Sequence, residues 1–400
     1  MVSSTPRGTA ATHRPRPPRA GDRRGGERPP AQDAPACRAC RGSSGTLVLD
    51  LGRQPACDYF PPADDPGPDA LYPLQMWLCA ACGLAQLVTD PTLPEEPLGR
   101  EPAALVAQAA DAVERVAACG LLAGRLTVAE YGSPHGGSWL ELLAGRGLTP
   151  VDRDGRADVV VDCFGLMHAR DQAQAIAERA DRVGDGGILL LQFHSLETII
   201  GQGQWNSLRH GHHAYYSTTA LTTMLSGVGF APDRAWTFDL YGGTVLLAAT
   251  RHTGAGATGP SVRALLASER RTGVRDPAAL LGLQHHAEAH ASALREWLVA
   301  QRIAGRTVAG YGAASRAVTL VLGAGADRML LRGVADASPA KHGLRMPGTN
   351  VPIVRPSELV AQRPDDVLLF VPDLLDEVRS SLPEVEAGGG RWVDADTLRP

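Results

Sequence analysis

Two cysteine pairs, each spaced Cys-x-x-Cys, constrain this chain more than any other feature of its sequence. The pairs are Cys37 with Cys40 and Cys79 with Cys82. Each turn presents two thiolates on one side, and four thiolates from two such turns close a tetrahedral shell around zinc. A closed shell leaves no position open for chemistry, so we expect a structural zinc. The small module around these turns needs the ion, because its own core is too small to hold the fold.

Composition narrows the class of protein. The chain has 400 residues, enough for two or three domains, and a formal net charge of -4 that offers no global basic field to nucleic acid. No apolar run approaches the roughly 20 residues that cross a bilayer. The seven cysteines are an odd number, and the N-terminus has no apolar signal segment. We therefore expect a cytoplasmic protein that contacts neither nucleic acid nor membrane.

Strand and helix patterns divide the chain into five parts. The fold class is α/β, with a small zinc-binding module, a truncated Rossmann-like domain and a second Rossmann-like domain. The parts are a disordered tail at 1–34, the zinc-binding module at 35–100, the truncated Rossmann-like domain at 101–258, bridging helices at 259–304 and a C-terminal α/β domain at 305–400.

The middle domain opens with a strand, a glycine-rich turn and a helix. In Rossmann-type methyltransferases, an acidic strand end followed by GxxxG holds the carboxypropyl end of S-adenosylmethionine (SAM) against the helix N-terminus. Glu130, Gly132 and Gly136 fit this pattern, and Asp152 lies where it could meet ribose hydroxyls. A lone glycine-rich turn is a weak signal.

The strand that follows Asp152 comes too early for a complete SAM-binding sheet. Residues 157–163 (ADVVVDC) read as a buried strand only a few positions later. A parallel crossover needs a dozen or more residues. We therefore expect this sheet to lack one helix and one strand, the pair that normally supplies the adenine pocket.

The C-terminal domain repeats the pattern of strand, glycine turn and helix. Such a turn presents backbone amides to a phosphate, and an acidic residue about 20 positions later suits a ribose hydroxyl. A turn needed only for tight packing is the alternative. The predicted nucleotide-binding residues are Gly310, Tyr311, Gly312, Ala313, Arg316 and Asp336.

A cluster of histidines and tyrosines lies in the second half of the middle domain. Imidazole titrates near neutral pH, so clustered histidines beside phenols are typical of a proton-abstracting site, although an exposed polar loop is the alternative. The candidate catalytic residues are His210, His212, His213, Tyr215 and Tyr216.

Residues 35–398 resemble the deoxysugar C-methyltransferase family. The similarity lies in CRAC and LCAACGLAQL, in HGHHAYYS, in GYGAASRAVTL and in VADASPAKHGLRMPGTNVPIVRPSEL. The resemblance implies a nucleotide-diphosphate keto-sugar as substrate, SAM as methyl donor, and His212 as the histidine that acts at the C3 proton. The tyrosine and glutamate of the family's histidine loop fall on Arg209 and Gly211, and a lysine of its C-terminal turn falls on Arg316.

Three functions remain open at this stage. The first is a SAM-dependent C-methyltransferase acting in antibiotic sugar biosynthesis. The second is a SAM-independent relative that enolises the sugar without methylating it, such as an epimerase. The third is a non-catalytic partner that binds a sugar nucleotide. Binding of SAM separates the first two, and exchange of the C3 hydrogen with solvent separates both from the third.

Overall fold

The structure is a computed structural model that describes residues 35–65, 67–90, 102–132, 137–152, 154–251 and 258–398. The predicted tail at 1–34 and the glycine at position 136 lie outside the described residues. The chain from Pro35 onward forms one compact unit. Within the described ranges, none of the helices has both the length and the apolar character needed to cross a bilayer.

The first part of this unit is a small antiparallel sheet beside the four cysteines. It contains β1 (Gly45–Pro55), β2 (Leu71–Cys79) and β3 (Ala85–Leu87). Strands β1 and β2 pair along most of their length, and β2 continues into β3 through the second cysteine turn. Gly83 in that turn has φ +78°, and a Cβ there would lie 3.0 Å from Arg275, so the turn requires glycine.

The middle part alternates helices and strands before ending in a hairpin. Its elements are α1 (Ala103–Ala118), β4 (Thr127–Tyr131), α2 (Leu140–Ala144), β5 (Thr149–Pro150), β6 (Ala157–Cys163), α3 (Gln172–Arg182), β7 (Val183–His194), α4 (Leu196–Gly201), β8 (Ala214–Tyr215), α5 (Thr218–Gly227), β9 (Phe230–Phe238) and β10 (Thr244–Arg251).

Six of these strands form one sheet in the order β5-β4-β6-β7-β10-β9. The first four are parallel, and β10 runs antiparallel to both β7 and β9. The sheet core consists of β6 and β7, which are buried along nearly their whole length because helices cover both faces. Strand β5 has only two residues and forms the edge, with no strand outside it among the described residues. The predicted truncation of the sheet therefore agrees with the structure.

Two helices lead from the middle part to the C-terminal part: α6 (Pro260–Thr272) and α7 (Pro277–Ile303). Helix α7 begins where Asp276 accepts a hydrogen bond from the Ala278 amide, with proline at the first helical position. Its 27 residues span about 40 Å at 1.5 Å per residue. One face, which includes Leu283 and Leu294, is buried in the core that joins the cysteine module to the last domain.

The C-terminal part is a second α/β domain. Its elements are β11 (Val308–Tyr311), α8 (Ser315–Gly323), β12 (Val334–Ala335), β13 (Ile353–Val354), α9 (Pro356–Gln362), β14 (Asp366–Leu369), α10 (Leu375–Ser381), α11 (Glu384–Ala387) and β15 (Arg391–Asp394). The sheet is parallel throughout, in the order β13-β12-β11-β14-β15. Strand order reverses at β11, and ligands of doubly wound folds bind at the carboxyl ends of strands at such a point. The predicted fold class is confirmed.

Candidate active site and zinc centre

The four cysteines of the two turns converge as the zinc prediction requires. Their sulfur atoms all lie within 4.8 Å of one another, and none forms a disulfide. The Sγ atoms of Cys37 and Cys82 are 3.5 Å apart, and those of Cys40 and Cys79 are 3.6 Å apart. Zinc–sulfur bonds of about 2.3 Å in a tetrahedron place sulfurs about 3.8 Å apart, so the four thiolates fit a closed zinc site.

We predict about one zinc ion per chain in the purified protein, because a four-thiolate site holds a single ion. A Cys79→Ser variant should lose the ion, and its cysteine module should become sensitive to protease. Zinc content measured by atomic absorption checks this, with Cys119→Ser as the control because Cys119 lies on another element. A metal-free wild-type protein with an intact, protease-resistant module would contradict the prediction.

The histidine loop is attached to the cysteine module. Strand β8 of this loop pairs with β3, with Tyr215 opposite Ala85. On the other side, the amide of His213 donates to the carbonyl of Met167, which follows β6. The loop therefore bridges the zinc-binding module and the carboxyl edge of the six-stranded sheet.

Three of the five candidate residues in this loop are held by structural contacts. His210 is buried, with Nε2 3.2 Å from the carbonyl oxygen of Pro73. The Tyr215 hydroxyl accepts a hydrogen bond from the Arg209 amide at 3.0 Å. The Tyr216 hydroxyl donates to Gln172 Oε1 at 2.5 Å inside the core. Each of these polar groups already helps to shape the loop or the core, and a catalytic role for the three residues stays a prediction.

His213 lies against a carboxylate that sequence reasoning missed. Its Nδ1 is 3.8 Å from Asp90 Oδ2, and the same carboxylate accepts a hydrogen bond from the Gly211 amide at 2.8 Å. Burial lowers the pKa of His213 to about 4, in spite of the nearby Asp90. His213 is thus a neutral, buried anchor of the loop, and Asp90 holds the turn in place.

The buried histidines predict a loss of stability in acid. Burial lowers the pKa of His194 to about 3 and that of His213 to about 4, against 6.5 in the unfolded chain. The unfolded state therefore binds more protons, so stability is complete above pH 6.5 and falls as the pH drops toward 4. At pH 5, 1.5 units below 6.5, each histidine costs about 2 kcal/mol at 1.36 kcal/mol per unit.

Urea unfolding at pH 7.5 and pH 5.0 measures this effect. His213→Gln should show a smaller loss between the two pH values than the wild type. His285→Gln, at an exposed position of α7, should show the wild-type loss. An unchanged loss in His213→Gln would contradict the assignment of a buried neutral imidazole.

His212 is connected to the C-terminal domain through the side chain of Arg209. Arg209 donates from Nε to His212 Nε2 at 2.9 Å, and its Nη1 donates to the hydroxyl of Ser315 at the start of α8. The ring of His168 meets the His212 ring edge-on at 4.7 Å, while His168 Nδ1 lies 3.1 Å from the Gly211 carbonyl. His168 was not predicted, although it follows a buried strand, where functional side chains often lie.

Further groups surround Arg209 at the carboxyl edge of the six-stranded sheet. His194 ends β7, and the positive charges of Arg316 and Arg209 add to burial in lowering its pKa. Tyr241 lies near the same two arginines and meets the Phe164 ring at 6.0 Å. Both aromatic residues have positive φ, 55° for Tyr241 and 59° for Phe164. Strained backbone of this kind concentrates at functional sites.

Two glycines, one in β11 and one directly after it, are required by close packing and by backbone conformation. A Cβ at Gly310 would lie 2.7 Å from the ring of Phe370, and Gly312 has φ +91°. Asp336 accepts a hydrogen bond from the Ala313 amide at 2.9 Å and another from the Ser338 amide. Both its oxygens therefore stabilise the turn, and the ribose contact predicted for Asp336 is a second role for the same carboxylate. Tyr311 is buried in the adjoining core.

Glu130 and Gly132 are the described residues of the predicted SAM turn, and they lie at the carboxyl end of β4. Glu130 accepts hydrogen bonds from the Ser138 hydroxyl at 2.7 Å and the Trp139 amide at 2.6 Å, so its carboxylate links the end of β4 to the start of α2. Gly132 is exposed, and a Cβ there would meet nothing within 4 Å. Asp152 is exposed just after β5. The space at Gly132 and the open carboxylate of Asp152 fit the amino-acid and ribose ends of SAM.

Comparison with known proteins shows which proteins the chain resembles. Residues 239–395 match the family model described as "C-methyltransferase C-terminal domain", and residues 37–95 match the model described as "Putative zinc binding domain". The C-methyltransferase NovU of Streptomyces niveus is 25% identical over 397 residues, covering 89% of this chain and 94% of NovU. The chain thus resembles C-methyltransferases along most of its length, and these matches confirm the predicted enzyme class, a SAM-dependent C-methyltransferase. The zinc-binding model and the cysteine cluster confirm zinc as the predicted cofactor.

Solved structures similar to this C-methyltransferase include two other methyltransferases. Magnesium protoporphyrin IX methyltransferase from Synechocystis PCC 6803, with bound SAH, is 16% identical, covers 37% of this chain and 84% of its own, and gives a TM-score of 0.30. The CcbJ methyltransferase from Streptomyces caelestis is 14% identical, covers 36% of this chain and 90% of its own, and gives a TM-score of 0.26.

Proposed function

We propose that this C-methyltransferase acts on a nucleotide-linked keto-deoxysugar of the kind used in antibiotic biosynthesis, with His212 as the general base. One observation carries the proposal. The Arg209 side chain contacts both His212 and Ser315, so the histidine loop meets the start of α8. A base on that loop would therefore lie beside the turn proposed to hold the nucleotide diphosphate.

The chemistry follows from the ketone. A carbonyl at C4 acidifies the hydrogen on C3, and a base within hydrogen-bond reach can remove it. The C3–H bond breaks, its proton passes to a His212 ring nitrogen, and the bonding pair forms a C3–C4 double bond as the carbonyl pair moves to oxygen. His168, edge-on to the His212 ring, would keep that ring oriented.

SAM, when bound, supplies an electrophilic methyl group to the nucleophilic C3 carbon. Gly132 and Gly136 would allow its amino-acid end to approach the backbone, and Asp152 would accept hydrogen bonds from its ribose. The Glu130 carboxylate would act by fixing the turn, through Ser138 and Trp139.

The nucleotide diphosphate would bind at the start of α8. The Ser315 and Arg316 amides begin this helix, and a helix N-terminus favours an anion. Arg316 adds a guanidinium suited to phosphate, and Asp336 holds the Ala313 end of the turn in shape.

A second function, enolisation without methyl transfer, is favoured by the edge of the six-stranded sheet. The two-residue β5 has no strand outside it among the described residues, so the side where adenine normally lies is open. An epimerase would return a proton to C3 on the opposite face and would not need SAM.

Incubation with a nucleotide-linked 4-keto-deoxysugar and methyl-labelled SAM in heavy water tests the proposal. We expect labelled methyl at C3 of the product and deuterium at C3 of recovered substrate, both observed by NMR. Deuterium at C3 without methyl transfer would instead support the epimerase. Binding of the sugar nucleotide with neither outcome would reject catalysis in favour of a non-catalytic partner.

A further inference from the structure

The most unusual side chain near His212 is Arg209, which is half-buried and pairs with no carboxylate among the described residues. Its side-chain hydrogen bonds go to the His212 ring and to the Ser315 hydroxyl. Neither partner carries a negative charge. The Ser315 hydroxyl is uncharged, and a ring nitrogen that accepts a hydrogen bond from arginine carries no proton of its own. A partly desolvated guanidinium without a counter-charge is costly unless an anion visits it.

A second arginine reinforces this excess of positive charge. Arg316 is also half-buried, and its side chain makes no hydrogen bond or ion pair with the residues that the structure describes. The electrostatic effect of both arginines on His194 and Tyr241 places all four groups near one another. Asp373 is a carboxylate near this group, and the positive charge of Arg316 opposes the rise of its pKa on burial. A single substrate diphosphate at the start of α8 would supply a counter-charge for Arg316. Arg209 would still lie beside the proposed base, His212, without a counter-charge.

We propose that Arg209 is a further catalytic residue, which binds the carbonyl oxygen of the keto-sugar and stabilises the negative charge that forms there. This inference rests on the proposed function of His212. A C4 carbonyl oxygen and a C3 hydrogen lie on adjacent carbons of the substrate. Arg209 and His212 offer a donor and an acceptor side by side, 2.9 Å apart, which matches that arrangement.

The charges balance in this step. The proton leaves C3 for the His212 nitrogen, the C–H pair forms the C3–C4 double bond, and the carbonyl pair becomes the oxyanion that accepts from Arg209 N–H groups. When C3 takes an electrophile, the oxygen pair returns to the carbonyl. In the substrate-free structure the same Arg209 Nε donates to His212, so the substrate oxygen replaces that ring nitrogen as the acceptor and leaves it available for the proton.

A purely structural role for Arg209 is the competing explanation, because it also ties the loop to α8. Arg295 offers a matched control for that role. Its Nη1 donates to the carbonyls of Ala324 and Gly325 at the other end of α8, away from the histidine loop. Loss of either arginine removes a tether to α8, but only Arg209 stands beside the proposed base.

The test is the rate of deuterium incorporation at C3 of a nucleotide-linked 4-keto-deoxysugar in heavy water. Arg209→Ala should lower the maximal exchange rate by about 10²–10³-fold, the usual effect of losing one oxyanion donor. Added guanidinium chloride, at concentrations too low to denature, should restore part of the rate. Arg209→Lys should retain more activity than Arg209→Ala, and Arg295→Ala should exchange at the wild-type rate.

Two outcomes would contradict the inference, and a third would contradict the proposed function on which it rests. Wild-type exchange in Arg209→Ala, with none in His212→Ala, would reject Arg209 and leave the proposed function standing. A loss in folded Arg209→Ala that guanidinium does not restore would mean that Arg209 only positions the loop. Wild-type exchange in His212→Ala would reject the proposed function itself, and the role of Arg209 with it. Thermal melting by circular dichroism establishes that each variant is folded.

Discussion

Replacement of His212 by glutamine is expected to reduce C3 hydrogen exchange, and methyl transfer with it, by about 10²–10⁴-fold, the contribution of a positioned general base. Glutamine retains a polar side chain of similar length but cannot take the proton. The ring lies between Arg209 and His168, so its position is fixed from two sides. The KM for the sugar nucleotide should change far less than kcat, because the proposed diphosphate contacts at the start of α8 do not involve the His212 ring.

NMR detection of deuterium at C3, under saturating substrate, measures the effect. The exposed His285→Gln on α7 serves as the matched control and should exchange normally. A bell-shaped or sigmoidal pH–rate profile in the wild type should become flat in whatever activity His212→Gln retains. Full exchange in this variant would assign the base elsewhere, with His168 the next candidate because of its position.

The second large effect concerns the buried ion pair beneath the loop that carries His168. Asp162, fully buried at the end of β6, accepts hydrogen bonds from the Gly165 and Leu166 amides and from Arg179 Nε at 2.5 Å. Arg179 is also buried and lies over the Tyr131 ring at 4.1 Å. Asp162→Asn would keep an oxygen for the two amides but leave the guanidinium without its counter-charge.

We expect Asp162→Asn to lower the free energy of unfolding by about 3–5 kcal/mol, the usual cost of breaking a buried ion pair from one side. Urea unfolding measures the change. A double variant, Asp162→Asn with Arg179→Met, should recover much of the loss because no buried charge remains. Asp185→Asn is the control, since the Asp185–Arg156 pair is exposed and such pairs contribute little. A double variant less stable than Asp162→Asn would contradict the explanation.

Structural features that depend on residues close together in the chain could be predicted from the sequence. The Cys-x-x-Cys turns impose their own geometry, and the strand, glycine turn and helix around Gly312 form a local unit. The early strand at 157–163 predicted a truncated sheet because chain length alone excludes a crossover. These inferences depend on neighbours in sequence, where periodicity and turn chemistry act directly.

The contacts that define the candidate site could not be read in this way. Arg209 and Ser315 are separated by 106 positions, and a two-residue strand such as β8 has no periodic signal that would reveal its pairing with β3. The histidine cluster looked like one site because its members are adjacent. Successive residues in a tight turn point in different directions, so His210 and His213 became buried anchors while His212 turned toward Arg209.

The pairing of β8 with β3 joins metal occupancy to turnover. Strand β3 begins three residues after Cys82, so the strand that supports the loop of the proposed base is connected directly to a predicted zinc ligand. A chelator that strips the ion would release this strand and silence the enzyme without ever approaching the sugar. The zinc supply would then set how many copies of the protein are competent.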